Sequence, residues 1–322
     1  MAIPKDFGFG EEETMLRDSV RRLLRERAPI ETVRKLVAGD HERAYEAETP
    51  PADYDEALWR EMVELGLASL WVPAETGGAG MSTVAAASVV EELGRAALPS
   101  PLPATLLATA LLRACGERAG GLLASIASGE SATLATCDRE GGWELARSDA
   151  TLSGKGQGYS LEGEAYFVQD ARKASHFIVA AETGDGPALV TVAASQAGLT
   201  IVPDRILDLT RDQARLRFDN VAVEETDVLA PPGSGREALS SAMPAILTIL
   251  AADICGAAEW QLQTTVEYAK IRTQFDRPIG FFQAVKHPIV EMMVQTDRAR
   301  SLVYAAACAL DSHHEDAERL AR

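Results

Sequence analysis

Along the first 130 residues apolar positions recur every three or four residues, the period of helices that bury one face. In "EEETMLRDSVRRLLRER" the spacing puts Met15, Val20, Leu23 and Leu24 on one stripe. "EALWREMVELGLASLWVP" repeats it through Leu58, Met62, Leu65 and Leu67, then breaks at Pro73 and "ETGGAG". "STVAAASVVEELGRAAL" opens on Ser82, a hydroxyl suited to capping a helix N-terminus. Past Pro99, Pro101 and Pro103, the apolar runs "ATLLATALLRAC" and "GLLASIASGE" predict two further helices.

Near residue 131 the period changes to alternation. "ATLATC", "SHFIVAAE", "PALVTVAA", "LTIVP" and "ARLRFDNVAV" are short β-branched runs separated by Gly, Asp and Pro. They predict an antiparallel sheet or barrel that ends near "LAPPGSGRE", the clearest domain boundary in the chain.

Helical periodicity then returns. Leu247, Leu250, Ile254, Ala258, Leu262, Val266 and Ala269 recur at helical spacing, with Pro244 either kinking the first turns or marking the start. Continuous from Arg236 to Arg272, this helix is ~55 Å long at 1.5 Å per residue. A second helix carries Val285, Ile289, Met292, Ala299, Val303 and Ala306, and "DSHHEDAERLAR" begins a third. The expected fold is mainly α with a central β-domain: helices over 1–130, a β-domain over 131–233, and a helical bundle, incomplete in this chain, over 234–322. Further residues or another subunit complete that bundle.

Composition narrows the function classes. A net charge of −17 argues against nucleic acid, whose phosphates need clustered Lys and Arg. No apolar run approaches the roughly 20 residues of a membrane span. The start "MAIPKDFGFGEEETM" lacks the basic-then-apolar order of a signal peptide, so the expected location is cytoplasmic. Cys115, Cys137, Cys255 and Cys308 form no CxxC pair and read as reduced thiols. The histidines have no paired ligand spacing, so no metal site is expected, and His313-His314 reads as a solvated helix end.

One stretch is too elaborate for a simple stop. "RTQFDRPIGFFQAVKHPIVEMM" ends one long helix with Arg272, Gln274 and Phe275 and restarts with Phe282, Gln283 and His287. Arg272 is a fixed cation with a planar fork suited to a pyrophosphate, Phe275 offers an apolar face to an aromatic ring, and Gln274 and Gln283 both donate and accept. The plainer reading is that Arg272 caps the helix and Phe275 and Phe282 staple the turn.

The segments "LWREMVELGLASLWVPAETGGAG" and "VEYAKIRTQFDRPIGFFQAVKH" resemble two motifs of the acyl-CoA dehydrogenase family. The first matches its Pro-Glu-x-Gly-Gly-x-Gly loop. The second matches the Arg-x-Gln-Phe-Gly-x-x-Ile-x-x-Phe-Gln stretch that reaches a neighbouring subunit's FAD. The resemblance implies FAD as cofactor, an acyl-CoA substrate, an electron-transfer acceptor protein, and Arg272, Gln274, Phe275, Gln283 and His287 toward the flavin. In the β-domain the family's Thr-Glu-Pro-x-x-Gly-Ser-Asp reads "TCDREGGW", keeping Thr136. Its Trp-Ile-Thr becomes Phe167, Val168 and Gln169 within "LEGEAYFVQDARKA". "FVQD" and "ILDLTRDQARLRFDNV" resemble a branch active in actinobacterial lipid and steroid side-chain catabolism, whose members often pair unlike subunits in an α2β2 tetramer.

The family's catalytic Glu comes from a late loop outside this sequence or, in a minority, from the position where Ile246 and Leu247 stand. Asp253, Glu259 and Glu291 read as packing or ion-pair residues, so no catalytic base is named. The leading expectation is a subunit of an FAD-dependent acyl-CoA dehydrogenase, in a homo- or hetero-oligomer. A non-catalytic partner that completes another subunit's flavin site is the first alternative, and a flavin-dependent oxygenase or oxidase on the same fold is the second.

Overall fold

The computed structural model describes Pro4 and residues 6–38, 52–142, 148–154 and 158–322. They form two compact units, one from residues 1–30, 82–98 and 247–322, the other from residues 31–81 and 99–246.

In the first unit α1 (Glu11–Arg27) buries Val20, Leu23 and Leu24, as its stripe predicts. Met15 does not share that face and is 67% exposed. At 3.6 residues per turn it stands about 140° round the helix from Val20. α4 (Thr83–Ala96) starts where Ser82 Oγ accepts the Ala85 amide at 3.1 Å, and it is buried along nearly its whole length. α2 (Ile30–Ala38) and α3 (Glu56–Glu64) precede it in sequence and belong to the other unit.

The long helix α7 (Gly235–Ile271) is continuous through Pro244 and belongs to the first unit from Leu247 onward. Its buried apolar side chains there are Ile249, Ala252, Cys255, Leu262 and Ala269, whereas Ile254 is exposed. The predicted stripe is buried at Leu262 and Ala269, but its first turns, through Leu247, Leu250 and Ile254, have the same period and the wrong register. Glycine decides between them. A Cβ on Gly256 would stand 1.9 Å from the Glu91 carbonyl oxygen, and one on Gly94 would stand 2.1 Å from that of Asp253. α4 and α7 therefore touch backbone to backbone, and only a glycine-bearing face allows that approach.

After a two-residue ribbon, β9 (Thr273–Gln274) with β10 (Arg277–Pro278), the chain returns in α8 (Gln283–Asp311). Val303, Tyr304, Ala306 and Ala307 are buried at its far end; Met292 and Ala299, expected on the buried stripe, are exposed. A turn at His313 (φ 49) leads to α9 (Ala317–Ala321). By length and composition α7 is apolar enough to cross a membrane, contrary to the expectation from the sequence, and half of its most apolar window is buried inside the protein, as in a core helix.

The second unit adds α5 (Leu102–Ala114) and α6 (Gly120–Ala127) to two four-stranded sheets. One has the order β1 (Ala132–Ala135), β4 (His176–Ala181), β5 (Ala188–Ala193), β8 (Val228–Ala230); the other runs β2 (Asp149–Gly154), β3 (Tyr159–Gln169), β7 (Gln213–Val223), β6 (Leu199–Pro203). Neither sheet closes on itself, so the barrel alternative gives way to two open sheets. Their shared core includes Leu152, Leu161, Val168, Phe177, Val190 and Leu216. The expected antiparallel order fails at β1, which pairs with β4 in parallel. β2 and β3 intervene in sequence, and parallel strands need such a long crossover. The cysteines are all free, Cys255 and Cys308 buried and Cys115 and Cys137 half-buried.

The crossing yields a stability prediction. Gly256→Ala should cost about 3 kcal/mol, the upper end of overpacking, because backbone and not a flexible side chain stands in the way. A melting temperature within a degree of the parent would show that α4 and α7 part more easily than this contact implies.

Candidate functional site

In the second unit, β3 carries one residue too many. Ala165 pairs with Leu216 and Val168 with Ala214, so Tyr166 and Phe167 together oppose Arg215. This bulge inverts the strand's alternation. Leu161 and Ala165 point inward before it, and Val168 and Asp170 after it, which turns Phe167 and Gln169 outward together. Phe167 sits in the left-handed region at φ 55 and is 44% exposed. Bulky residues seldom adopt that conformation, and sites of function are where such strain collects. A Cβ at Gly141, in the loop after β1, would lie 3.1 Å from the Phe167 ring, so the loop approaches the ring closely because it carries a glycine there.

The Tyr166 amide donates to the Cys137 carbonyl at 3.0 Å, tying that loop to the bulge. Thr136 lies just before this tie but is 2% exposed, so its side chain does not share the outward ledge of Phe167 and Gln169. Beside the ledge is a cavity of about 410 Å³ lined by Asp138, Arg139, Glu140, Asp149, Glu164 and Tyr166. The Tyr166 hydroxyl, followed by Arg217 and Arg215, holds the Glu164 carboxyl below its ordinary range, and Glu164 in turn pushes the Tyr166 phenol up. Burial raises the Cys137 thiol, with Asp138 adding to it, so it is a poor nucleophile. The sequence reading missed this charged cavity because its residues come from separate strands.

The remaining expected residues lie in the first unit, at the hairpin tip. Phe275 (φ 52) and Asp276 (φ 60) are both left-handed, as the central pair of a two-residue hairpin turn must be. Phe275 is 86% exposed and meets Phe282 edge-on at 6.0 Å; Phe282 meets Phe281 at 5.7 Å, and Arg277 covers Phe281 at 4.4 Å. The aromatic staple of the plainer reading is therefore present. The Arg272 cap is not: its guanidinium has no hydrogen bond or ion pair among the described residues. Among the described residues the Gln274 side chain bonds only to the Thr273 carbonyl, at 2.9 Å, and Gln283 and His287 are exposed on the first turns of α8. The tip thus offers a free cation, two amides and an uncovered aromatic ring.

Acid–base candidates are scarce on α7. Ile246 is 2% exposed and apolar. Glu259 is held by Arg300 at 2.7 Å, which keeps its carboxyl below the ordinary range even though burial pushes the other way. Glu291 is exposed and accepts from Gln295. No cluster of metal-ligating side chains exists among the described residues.

Residues 10–130 match the family description "Acyl-CoA dehydrogenase, N-terminal domain", and residues 233–321 match "Acyl-CoA dehydrogenase, C-terminal domain". Acyl-CoA dehydrogenase IpdE2 of Mycobacterium tuberculosis is 36% identical over 300 residues, 92% of this chain and 76% of the relative. The chain belongs to the acyl-CoA dehydrogenase family. Among solved structures it is similar to the ChsE4-ChsE5 complex of Mycobacterium tuberculosis, at a TM-score of 0.83 and 26% identity, covering 98% of this chain and 82% of that one. It is also similar to the Tcur3481-Tcur3483 steroid ACAD, at 0.81 and 30%, covering 97% and 81%. As a member of an oxidoreductase family the chain carries the fold expected of it.

The tip makes a prediction about its own strain. The Asp276 side chain makes no hydrogen bond or ion pair among the described residues, so Asp276→Gly should stabilise the chain by up to about 1 kcal/mol by relieving the left-handed backbone. A lower melting temperature in the variant would mean that the carboxylate holds the turn.

Proposed function

We propose that this chain is one subunit of an FAD-dependent acyl-CoA dehydrogenase that works with a related subunit on a lipid CoA thioester of the steroid side-chain type. The observation that carries the reading is the hairpin tip, where Arg272 and Phe275 stand exposed and the guanidinium has no partner among the described residues. A monomer gains nothing from that arrangement; a neighbouring subunit's cofactor does. The reading includes a cytoplasmic location, a protein electron acceptor and a domain division near residues 130 and 233.

The residues suit a flavin. The outward face of Phe167 gives a planar apolar surface, and the Gln169 amide beside it both donates and accepts. Bound FAD supplies a hydride acceptor for the β-carbon as a base removes the α-proton. This chain's residues would hold and orient: Phe167 covers the ring and excludes water, Gln169 fixes its polar edge, and Arg272 neutralises pyrophosphate charge in the partner's site. Gln274, Phe275, Gln283 and His287 lie along the same tip, and Thr136 directly precedes the residue whose carbonyl ties its loop to the bulge.

A second reading is favoured by Ile246. With an apolar residue at the alternative base position and Glu259 engaged by Arg300, the chain serves as a partner whose tip completes a site where another subunit brings the carboxylate. Co-expression with a related subunit, followed by native mass spectrometry with cofactors counted, separates the two. FAD on the chain purified alone supports a full site here; FAD only in the complex supports the partner role.

Arg272→Ala should weaken FAD retention in the assembled protein roughly 10- to 100-fold, the equivalent of about 1.5–3 kcal/mol for a charge-assisted bond, with an unchanged melting temperature. Equal retention in variant and parent would return Arg272 to the surface. The chain alone should bleach flavin slowly when mixed anaerobically with acyl-CoA and steroid-CoA thioesters, because a positioned base contributes ~10²- to 10⁴-fold. Rapid bleaching would reveal a base on this chain, with Asp253→Asn and Glu259→Gln as the variants to examine next.

A further inference from the structure

The chain immediately around Gln169 is held far more tightly than an exposed strand end requires. Thr133 Oγ1, on β1, donates to the Gln169 carbonyl at 2.6 Å. The next amide, Asp170, donates to the Asp212 carbonyl at 2.8 Å. Asp170 is left-handed at φ 49 and its carboxylate accepts from Lys173 Nζ at 2.6 Å. Both partners of that pair are at least nine-tenths buried, Asp170 at 5% and Lys173 at 6% exposure. Alongside, Arg172 donates its amide and its Nε to the Asp212 carboxylate, each at 2.9 Å. Phe167 and Asp170, the two left-handed residues, flank Val168 and Gln169 on either side.

A buried ion pair is seldom retained for stability, since its desolvation offsets most of its attraction; where it is kept, it fixes one geometry. What this pair fixes is the turn that ends β3. We propose that Thr133 and the buried Asp170–Lys173 pair are positioning residues for Gln169, holding its main chain so that the amide side chain meets the polar edge of a bound flavin. The inference rests on the flavin reading of the ledge. Without these ties the left-handed turn at Asp170 relaxes, Gln169 swings with it, and the ledge keeps its ring but loses its aligned amide.

The test is a coupling measurement on the assembled protein with FAD as the probe. Asp170→Asn with Lys173→Met removes both charges together, and Asn tolerates the left-handed backbone. The pair variant should melt close to the parent yet hold FAD about tenfold less tightly, the effect of one misaligned hydrogen bond. Gln169→Ala should lose a similar amount, and combining all three changes should lose no more than either alone, because both act through one amide. Thr133→Val deletes a single hydroxyl in nearly the same volume. It should show the same lack of additivity with Gln169→Ala, and it decides the matter if the pair variant fails to fold. Additive losses, or a pair variant and Thr133→Val that both hold FAD like the parent while Gln169→Ala does not, would overturn the positioning role. Undiminished FAD binding in both Gln169→Ala and Phe167→Ala would overturn the flavin reading of the ledge, and the proposal with it.

Discussion

Gly94 and Gly256 allow α4 and α7 to cross at backbone contact, and the first unit is arranged around that crossing. Side chains at either place would force the helices apart. Glu91, 8% exposed on α4, reaches Arg300 Nε at 2.7 Å and the Tyr304 hydroxyl at 2.5 Å, while Arg300 also holds Glu259 on α7. Burial disfavours the Arg300 charge, but Glu259 and Glu91 outweigh it, and its pKa is raised. Glu92 is met from α1 by Arg21 in two contacts, at 2.5 and 3.0 Å. α1 and α8 are thereby pinned to α4 by charge-assisted bonds, and Arg300 ties α7 into the same network through Glu259.

A hairpin anchored so firmly at its root is free to be bare at its end. Beyond Leu262 on α7 and before Thr296 on α8, Ala269 is the one buried residue in the hairpin. Val290, Met293 and Phe281 remain uncovered there together with Phe275. Exposed apolar surface of that extent is unusual on a chain of net charge −17 and supports the proposed contact with another subunit. Arg272, without a hydrogen bond or ion pair among the described residues, adds a cation to that face.

The second unit depends on a different constraint, the bulge in β3. One inserted residue exchanges the inward and outward sides of the strand, so Val168 fills the core while Phe167 and Gln169 face out. The local strain at Phe167 and Asp170 is sustained by the bonds around it: the Cys137 carbonyl, the Thr133 hydroxyl, the Asp212 backbone and the Lys173 ammonium. In the proposed reading Phe167 and Gln169 stand in, by shape and hydrogen bonding, for the Trp and Thr of the related motif.

The sequence by itself determined the order of helices, strands and helices, the Ser82 cap, the length of α7 and the hairpin with its Arg272 and Phe275. Each of these follows from local period, capping chemistry or a compact motif, all of which are encoded within a few neighbouring residues. It did not decide which of two helical stripes on α7 is buried, because Leu247–Leu250–Ile254 and Ile249–Ala252–Cys255 have the same period and only contact with α4 at Gly256 chooses between them. Nor did it show β2, β3 and β8 as strands, the parallel pairing of β1, or the charged cavity beside Phe167. A bulge breaks the alternation on which strand recognition relies, and pairing partners lie tens of residues apart. The burial of Glu91, Asp170 and Lys173 was likewise invisible, since a charged residue enters a core only when tertiary structure brings its partner to it.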